Sequence, residues 1–171
     1  MTDQPNEQTA TQGDATAPRR LSDDAIHLGV LDRFVGLHLR AAYEASYADF
    51  EGLLGPDAIR PGYFTMLTLI ANNPGISQTQ IGRSARRDKS AVTKALRHME
   101  DEGLITRTRL PDDRRTYVSE LTAKGVELQL RMQNRAMQHV ARIIAVIGPE
   151  RHAALVDTLH DIIEQMPDLG G

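Results

Sequence analysis

Residues 88–115 read DKSAVTKALRHMEDEGLITRTRLPDDRR, and the periodicity changes twice within them. The first half is helical. Asp88 is a competent N-cap, and Val92, Ala95, Leu96 and Met99 recur at the spacing that lines one helical face. Ser90, Thr93, Lys94 and Arg97 share the opposite face within about a 100° arc. Gly103 stands where a helix-ending left-handed residue is wanted. Beyond it Ile105-Thr106-Arg107-Thr108-Arg109 alternates with a period of two, β-branched residues interleaved with arginine, which predicts a strand. Pro111-Asp112-Asp113 is a turn by composition, and 114–121, RRTYVSEL, alternates again as a returning strand.

Working outward, Arg86-Arg87 forms the turn before this helix. Ser77-Gln78-Thr79-Gln80 has the Ser-x-x-Gln form of a capping box, heading a short helix with Ile81 and Ala85 inward. Pro61 opens a further helix through Phe64, Leu67, Ile70 and Ala71, stopped by Asn72-Asn73-Pro74-Gly75. Two short helices with a tight turn, followed by strand, basic loop and strand, predict a winged helix-turn-helix over 57–122. Before it, 22–56 reads as one long helix, capped by Ser22 and striped by Ile26, Val30, Phe34, Leu37, Ala41, Ala45 and Ala48 as far as Leu54. A second partial stripe of Leu28, Leu31, Val35, His38 and Leu39 widens it toward a partner. After it, 123–171 holds two helices broken at Gly148-Pro149. The first carries Val126, Leu130, Met137, Val140, Ile143, Ile144 and Ile147, and the second is expected to bury Leu155, Val156, Leu159, Ile162, Ile163 and Met166. Residues 1–21 are polar and aperiodic and are expected to be disordered. The fold class is mainly α with a small β-wing, the reading lobe flanked by dimerisation helices.

The chain has 171 residues and a formal net charge of −3, from 20 Lys+Arg against 23 Asp+Glu. From Arg83 to Arg115, ten basic residues face six acidic ones, net +4; the remainder carries ten against 17, net −7. A basic patch on an acidic body is the footprint of a protein that meets a polyanion with one face. With no cysteine, disulfides, thiol switches and thiolate metal sites are excluded. The six histidines offer no His-x-x-x-His pair, so neither metal nor cofactor is expected. No Gly-x-Ser-x-Gly, phosphate-cradling glycine loop or His-Glu-x-x-His occurs, and no catalytic residue is assigned. No apolar run approaches a membrane span, which predicts a cytoplasmic protein.

These residues resemble the MarR (multiple antibiotic resistance regulator) family of dimeric winged-helix repressors. The likeness runs from about Asp24 to Met166. Its most specific parts are Lys89-Ser90-Ala91-Val92-Thr93-Lys94, Gly103-Leu104-Ile105, Pro111-Asp112-Asp113-Arg114-Arg115 and Leu121-Thr122-Ala123-Lys124-Gly125. The resemblance implies a two-fold dimer, a recognition helix in each of two successive major grooves, and wing arginines in the flanking minor grooves. Ser90, Thr93, Lys94 and Arg97 are then candidate contacts to base edges and nearby phosphates. Ser77, Gln78 and Thr79 are candidate phosphate contacts at a helix N-terminus. Arg86, Arg87 and Lys89 add affinity through phosphates without reading sequence. Arg109 on the first wing strand is included with them. It and Arg107 read equally well as a solvated strand face. In the wing's Asp-x-Arg, Asp112 holds the loop and Arg114 enters the minor groove, with Arg115 the alternate if the register slips by one.

The family also implies release from DNA by a small molecule. His38, Arg40 and Tyr43, with Tyr63, Phe64 and Met66, are the candidate lining of such a pocket. Their cationic and aromatic mix suits a phenolic acid or its coenzyme A thioester. The expected partners are therefore double-stranded DNA, a second copy of the chain and an aromatic effector, without a membrane. The rival reading is a winged helix serving as a protein-protein platform, against which the surplus positive charge on helix and wing argues.

Overall fold

The computed structural model describes residues 26–58, 62–113 and 115–166. The chain divides into two compact units, Met1–Arg40 and Ala41–Gly171. The expected N-terminal tail, the Ser22 cap and Pro61 lie outside the described residues.

In the first unit the single long helix expected from the stripe is interrupted. Gly29–Arg33 is a 3-10 helix, and Phe34 is extended (φ −81°, ψ 101°) before α1, Val35–Leu54, begins. The cause is local. Gly29 takes φ +58°, which a side chain disfavours, and the Phe34 ring lies where a Cβ on Gly36 would stand, 3.0 Å from its Cε1. Both glycines thus permit a break that the apolar spacing alone conceals. Ile26, Val30 and Phe34 are 58%, 83% and 56% exposed.

In the second unit the order is α2 (Tyr63–Asn72), β1 (Ile76–Ser77), α3 (Gln78–Ser84), α4 (Lys89–Asp101), β2 (Ile105–Arg109), β3 (Tyr117–Leu121), α5 (Ala123–Ile147) and α6 (Pro149–Gln165). The sheet is antiparallel in the order β1-β3-β2, with Ile105 opposite Leu121, Arg109 opposite Tyr117 and Ile76 opposite Ser119. The returning strand starts at Tyr117, three residues later than its alternation predicts. Strand β1 has no counterpart in the sequence reading, because two residues carry no period; pairing with β3 creates it.

The caps fall where composition places them. Ser77 Oγ accepts from the Gln80 amide, whose side chain accepts in turn from the Ser77 amide, a complete capping box for α3. Asp88 accepts from the Ala91 amide at 2.8 Å and starts α4. Inside, Met66, Leu67 and Ile70 of α2 meet Ile81 of α3, Val92, Leu96 and Met99 of α4, Ile105 of β2 and Met132 of α5. Full burial of such a side chain contributes about 1.5–3 kcal/mol, so this cluster fixes α4 against the rest of the lobe.

Helix α5 meets that core through Leu128 and Met132, while Val126, Leu130 and Met137 are exposed on other faces. Helix α6 corrects the expectation of a buried stripe. None of its residues is buried in the single chain, and Leu155, Val156, Ile163 and Met166 are exposed.

The start of α5 explains Leu121-Thr122-Ala123-Lys124-Gly125. Thr122 Oγ1 accepts from the Gly125 amide and donates to the Gly103 carbonyl at 2.7 Å; its own amide donates to the Leu104 carbonyl at 3.0 Å, and Lys124 donates to the Glu102 carbonyl. A Cβ at Gly125 would overlap the Leu104 carbonyl oxygen. Only glycine lets α5 close onto the α4–β2 junction, so the recognition helix and the long C-terminal helix share one rigid joint.

Candidate nucleic-acid interface

The N-terminus of α3, the α3–α4 turn and the wing meet around a concavity of about 410 Å³. Ser77, Gln78, Thr79, Arg87, Lys89 and Arg115, all singled out from the sequence, line it together. Arg83, Thr116 and Tyr117 line it too and were not among the candidates. Arg83 was legible as one of the ten cations of the basic window, and its place in the last turn of α3 gives it the geometry of a phosphate partner. A second depression, along the exposed side of α4, is lined by Lys89, Ser90, Thr93, Lys94 and Arg97. Lys94 and Arg97 are exposed.

The short polar side chains are less free than their positions suggest. Ser90 Oγ donates to Asp88 at 2.7 Å. That bond, with the Ala91 amide, holds the Asp88 carboxyl below the usual carboxylate range. Thr93 Oγ1 donates to the Lys89 carbonyl at 2.7 Å and accepts from Gln78 Nε2 at 2.6 Å. Gln78 Oε1 in turn accepts from Arg107 at 3.0 Å. The Arg107 side chain is only 8% exposed, reaches Glu100 at 3.5 Å and lies over the Tyr117 ring, 4.8 Å from its centroid. The solvated-face reading therefore fails for Arg107: alternation points it inward beside Ile105. Arg109 is exposed, donates to the Tyr117 hydroxyl at 2.8 Å and covers the other approach to the same ring at 5.0 Å.

At the turn, Arg86 adopts φ +49°, the left-handed backbone that lets the chain reverse into α4. Arg87 rests over Gly62: a Cβ there would lie 2.6 Å from its Cζ. Gly62 itself has φ +88° at the head of α2, so glycine is required twice over.

Asp113 holds the loop: its carboxylate accepts from Thr116 Oγ1 at 2.6 Å and from the Arg115 amide at 3.0 Å, and its carbonyl accepts from the Thr116 amide. Those bonds, Thr116 first, hold the Asp113 carboxyl below its ordinary range. Of the two overlapping Asp-x-Arg units, Asp113-Arg114-Arg115 begins with the residue whose bonds are described, and Arg115 lines the concavity with Arg83 and Arg87. Arg114 lies outside the described residues.

The candidate effector residues separate by unit. In the first, His38 Nε2 donates to the Asp32 carbonyl at 2.8 Å, and Arg40 is exposed. In the second, Tyr43 is 63% exposed and stacks on Tyr47 with ring centres 5.9 Å apart. Phe64 is half-buried, edge-on to Phe50 at 5.3 Å. Tyr63 and Met66 are core residues at 2% and 0% exposure, Tyr63 lying edge-on to His98. Tyr47, absent from the sequence candidates, adds a second accessible ring.

One further cluster resembles catalytic machinery. His139 Nδ1 donates to Asp49 at 2.7 Å and its Nε2 lies 3.0 Å from Ser46 Oγ, with Arg142 also on Asp49. Ser46 sits in mid-helix α1, where neighbouring amides are spent on helical hydrogen bonds and none remains to stabilise an oxyanion. The cluster ties α1 to α5.

The lobe just described is matched by the model of the MarR family over residues 59–117. A protein of Thauera aromatica assigned to transcriptional regulation of the hcr operon is 30% identical over 132 residues, covering 77% of this chain and 80% of the relative. The chain belongs to the MarR family. Within it, a transcriptional repressor of Mycobacterium tuberculosis is 31% identical over 125 residues, 73% of this chain and 84% of its own. Among solved structures, the repressor CouR bound to a 23-mer DNA duplex superposes with a TM-score of 0.76 at 30% identity, over 81% of this chain and 98% of its own. CouR bound to p-coumaroyl-CoA gives 0.75 at 27%, over 82% and 99%. This MarR-family chain is a DNA-binding transcriptional regulator, and its relatives are regulators rather than enzymes. Among the described residues, no helix is long and apolar enough to cross a membrane.

Proposed function

We propose that the chain acts as a homodimeric repressor, released from a two-fold operator by a phenolic acid or its coenzyme A thioester. The observation that carries the reading is the convergence of Ser77, Thr79, Arg83, Lys89 and Arg115 on one concavity, beside an α4 face presenting Lys94 and Arg97. In this reading α4 enters the major groove, where Arg97 and Lys94 meet base edges. Arg83, Arg86, Arg87 and Lys89 meet phosphates, Arg109 neighbours the wing contacts, and Arg115 enters the minor groove. Asp112 has no role in it.

The dimer is supported by the apolar surface that a single chain leaves uncovered. A 17-residue helix with no buried residue, carrying exposed Leu155, Val156 and Ile163, is unfinished alone. Ile26, Val30 and Phe34 extend the same argument to the N-terminal segment. The effector is supported by two features, the Tyr43–Tyr47 ring pair, of which Tyr43 is exposed, and the relationship to CouR, which has been seen with p-coumaroyl-CoA. Tyr63 and Met66 act from the core, shaping α2 rather than touching the ligand.

The test is fluorescence anisotropy of a duplex selected from a random library on the full chain, titrated separately with p-coumaroyl-CoA, free p-coumarate and free coenzyme A. Release by the thioester or the acid at micromolar concentration is expected. No release by any of the three refutes the effector class while leaving DNA binding standing.

A further inference from the structure

We infer that Thr93 reads DNA with its methyl group, as a thymine-specific contact, and that Arg107 fixes this by polarising the side chains between them. The inference rests on the reading of α4 as the helix in the major groove.

The Arg107 guanidinium carries donors and no acceptor. It is held between Glu100 and the Tyr117 ring with 8% of its side chain exposed, so it cannot swing away. The group facing it at 3.0 Å must accept, which assigns that end of the Gln78 amide as oxygen. The other end is then NH2, a donor, and it points at Thr93 Oγ1 from 2.6 Å. Thr93 must accept there, and its single proton goes to the Lys89 carbonyl one turn back, at 2.7 Å. One donor-only group buried under the sheet thereby sets the polarity of every member of the chain.

Thr93 has no donor left for a base acceptor such as guanine O6 or N7, and its oxygen is wedged between its own helix and Gln78. Besides one acceptor lone pair on that oxygen, what it retains at the depression lined by Lys89, Ser90, Lys94 and Arg97 is the Cγ2 methyl. In the major groove the complement of a methyl is the C5-methyl of thymine, the apolar feature of that groove. Ser90 is tied likewise, its proton spent on Asp88. Hydrogen-bond donation to bases falls to Lys94 and Arg97 alone, with Thr93 supplying shape between them.

The experiment replaces each thymine of the selected duplex in turn by deoxyuridine, which removes the C5-methyl and nothing else. Wild-type protein is expected to bind one such duplex per half-site about fourfold more weakly, the weight of one buried methyl. T93S, keeping the hydroxyl and losing the methyl, should bind the thymine duplex about fourfold more weakly per half-site and no longer distinguish deoxyuridine there. T93V, keeping the methyl and losing the hydroxyl, should still distinguish it. A flat deoxyuridine scan, a selected half-site without thymine, or a T93V protein that loses the distinction while T93S keeps it would each overturn the inference. Circular dichroism of both variants separates misfolding from lost contact. Failure of the library to enrich any duplex would instead overturn the DNA reading itself.

Discussion

Substituting Gly125 by alanine tests the joint between α4 and α5. Gly125 is the third residue of α5, and helix propensity alone predicts that alanine stabilises the protein by about 1 kcal/mol. The surroundings predict the opposite sign. A Cβ there overlaps the Leu104 carbonyl oxygen and would stand 2.9 Å from its carbon. Backbone on both sides of the clash leaves no flexible side chain to yield. Relief requires the first turn of α5 to lift from the α4–β2 junction. That movement strains or breaks the Thr122 amide to Leu104 bond at 3.0 Å and the Thr122 hydroxyl to Gly103 bond at 2.7 Å. Overpacking of this kind costs about 1–3 kcal/mol, and one lost hydrogen bond costs about 1 kcal/mol more. After the propensity gain the net destabilisation centres near 2 kcal/mol, or a fall in Tm of about 4–8 °C for a chain of this size. Thermal unfolding followed by circular dichroism at one fixed protein concentration measures it. An unchanged or raised Tm would refute the close-approach argument.

Three further outcomes are expected. In the wing, Asp113→Ala should weaken binding to a selected duplex, whereas Asp112→Ala should leave it within about twofold; anisotropy titrations of both variants decide the register. Arg97→Ala should reduce the preference for selected over random duplex by about 1–3 kcal/mol per half-site, while Arg83→Ala, which removes one phosphate contact from each protomer, should weaken both alike and lower the salt slope by about two. Hydrogen bonds from His139, and secondly Arg142, hold the Asp49 carboxyl below its ordinary range. Its folded pKa lies under the unfolded one, so the stability it adds is fully present above about pH 5 and is lost as pH falls through the folded value. The difference in Tm between wild type and Asp49→Asn should therefore hold at neutral pH and shrink below about pH 4.

Features governed by neighbours in the chain were legible, and those governed by distant partners were not. The Ser77–Gln80 box, the Asp88 cap and the two faces of α4 depend on spacings of three and four residues. Each stands where the sequence puts it. Strand β1 exists only because Ser119 and Val118 pair with it, and two residues cannot announce that. Arg107 was ambiguous because charge argues outward while the alternation from Ile105 argues inward; Glu100, Gln78 and Tyr117 resolve it, and they come from three other elements. The wing offered two overlapping Asp-x-Arg units, and the hydrogen bonds of Asp113 to Thr116 and Arg115, which favour the second, have no signature in the spacing. In the N-terminal segment the apolar stripe carried through Phe34 while the backbone did not. Gly29 and Gly36 were the visible signals of that break. The stripes of α5 and α6 were seen, but which side meets the lobe could not be read from periodicity. Gln129 is buried there while Leu130 is 52% exposed.

In the proposed function α3, α4 and the wing form one surface for a polyanion in a protein whose net charge is −3. The affinity for a selected duplex measured across 50–300 mM salt tests it directly. Two protomers engaging about six to ten phosphates predict a slope of log K against log salt of about −5 to −9. A slope near zero would contradict the claim.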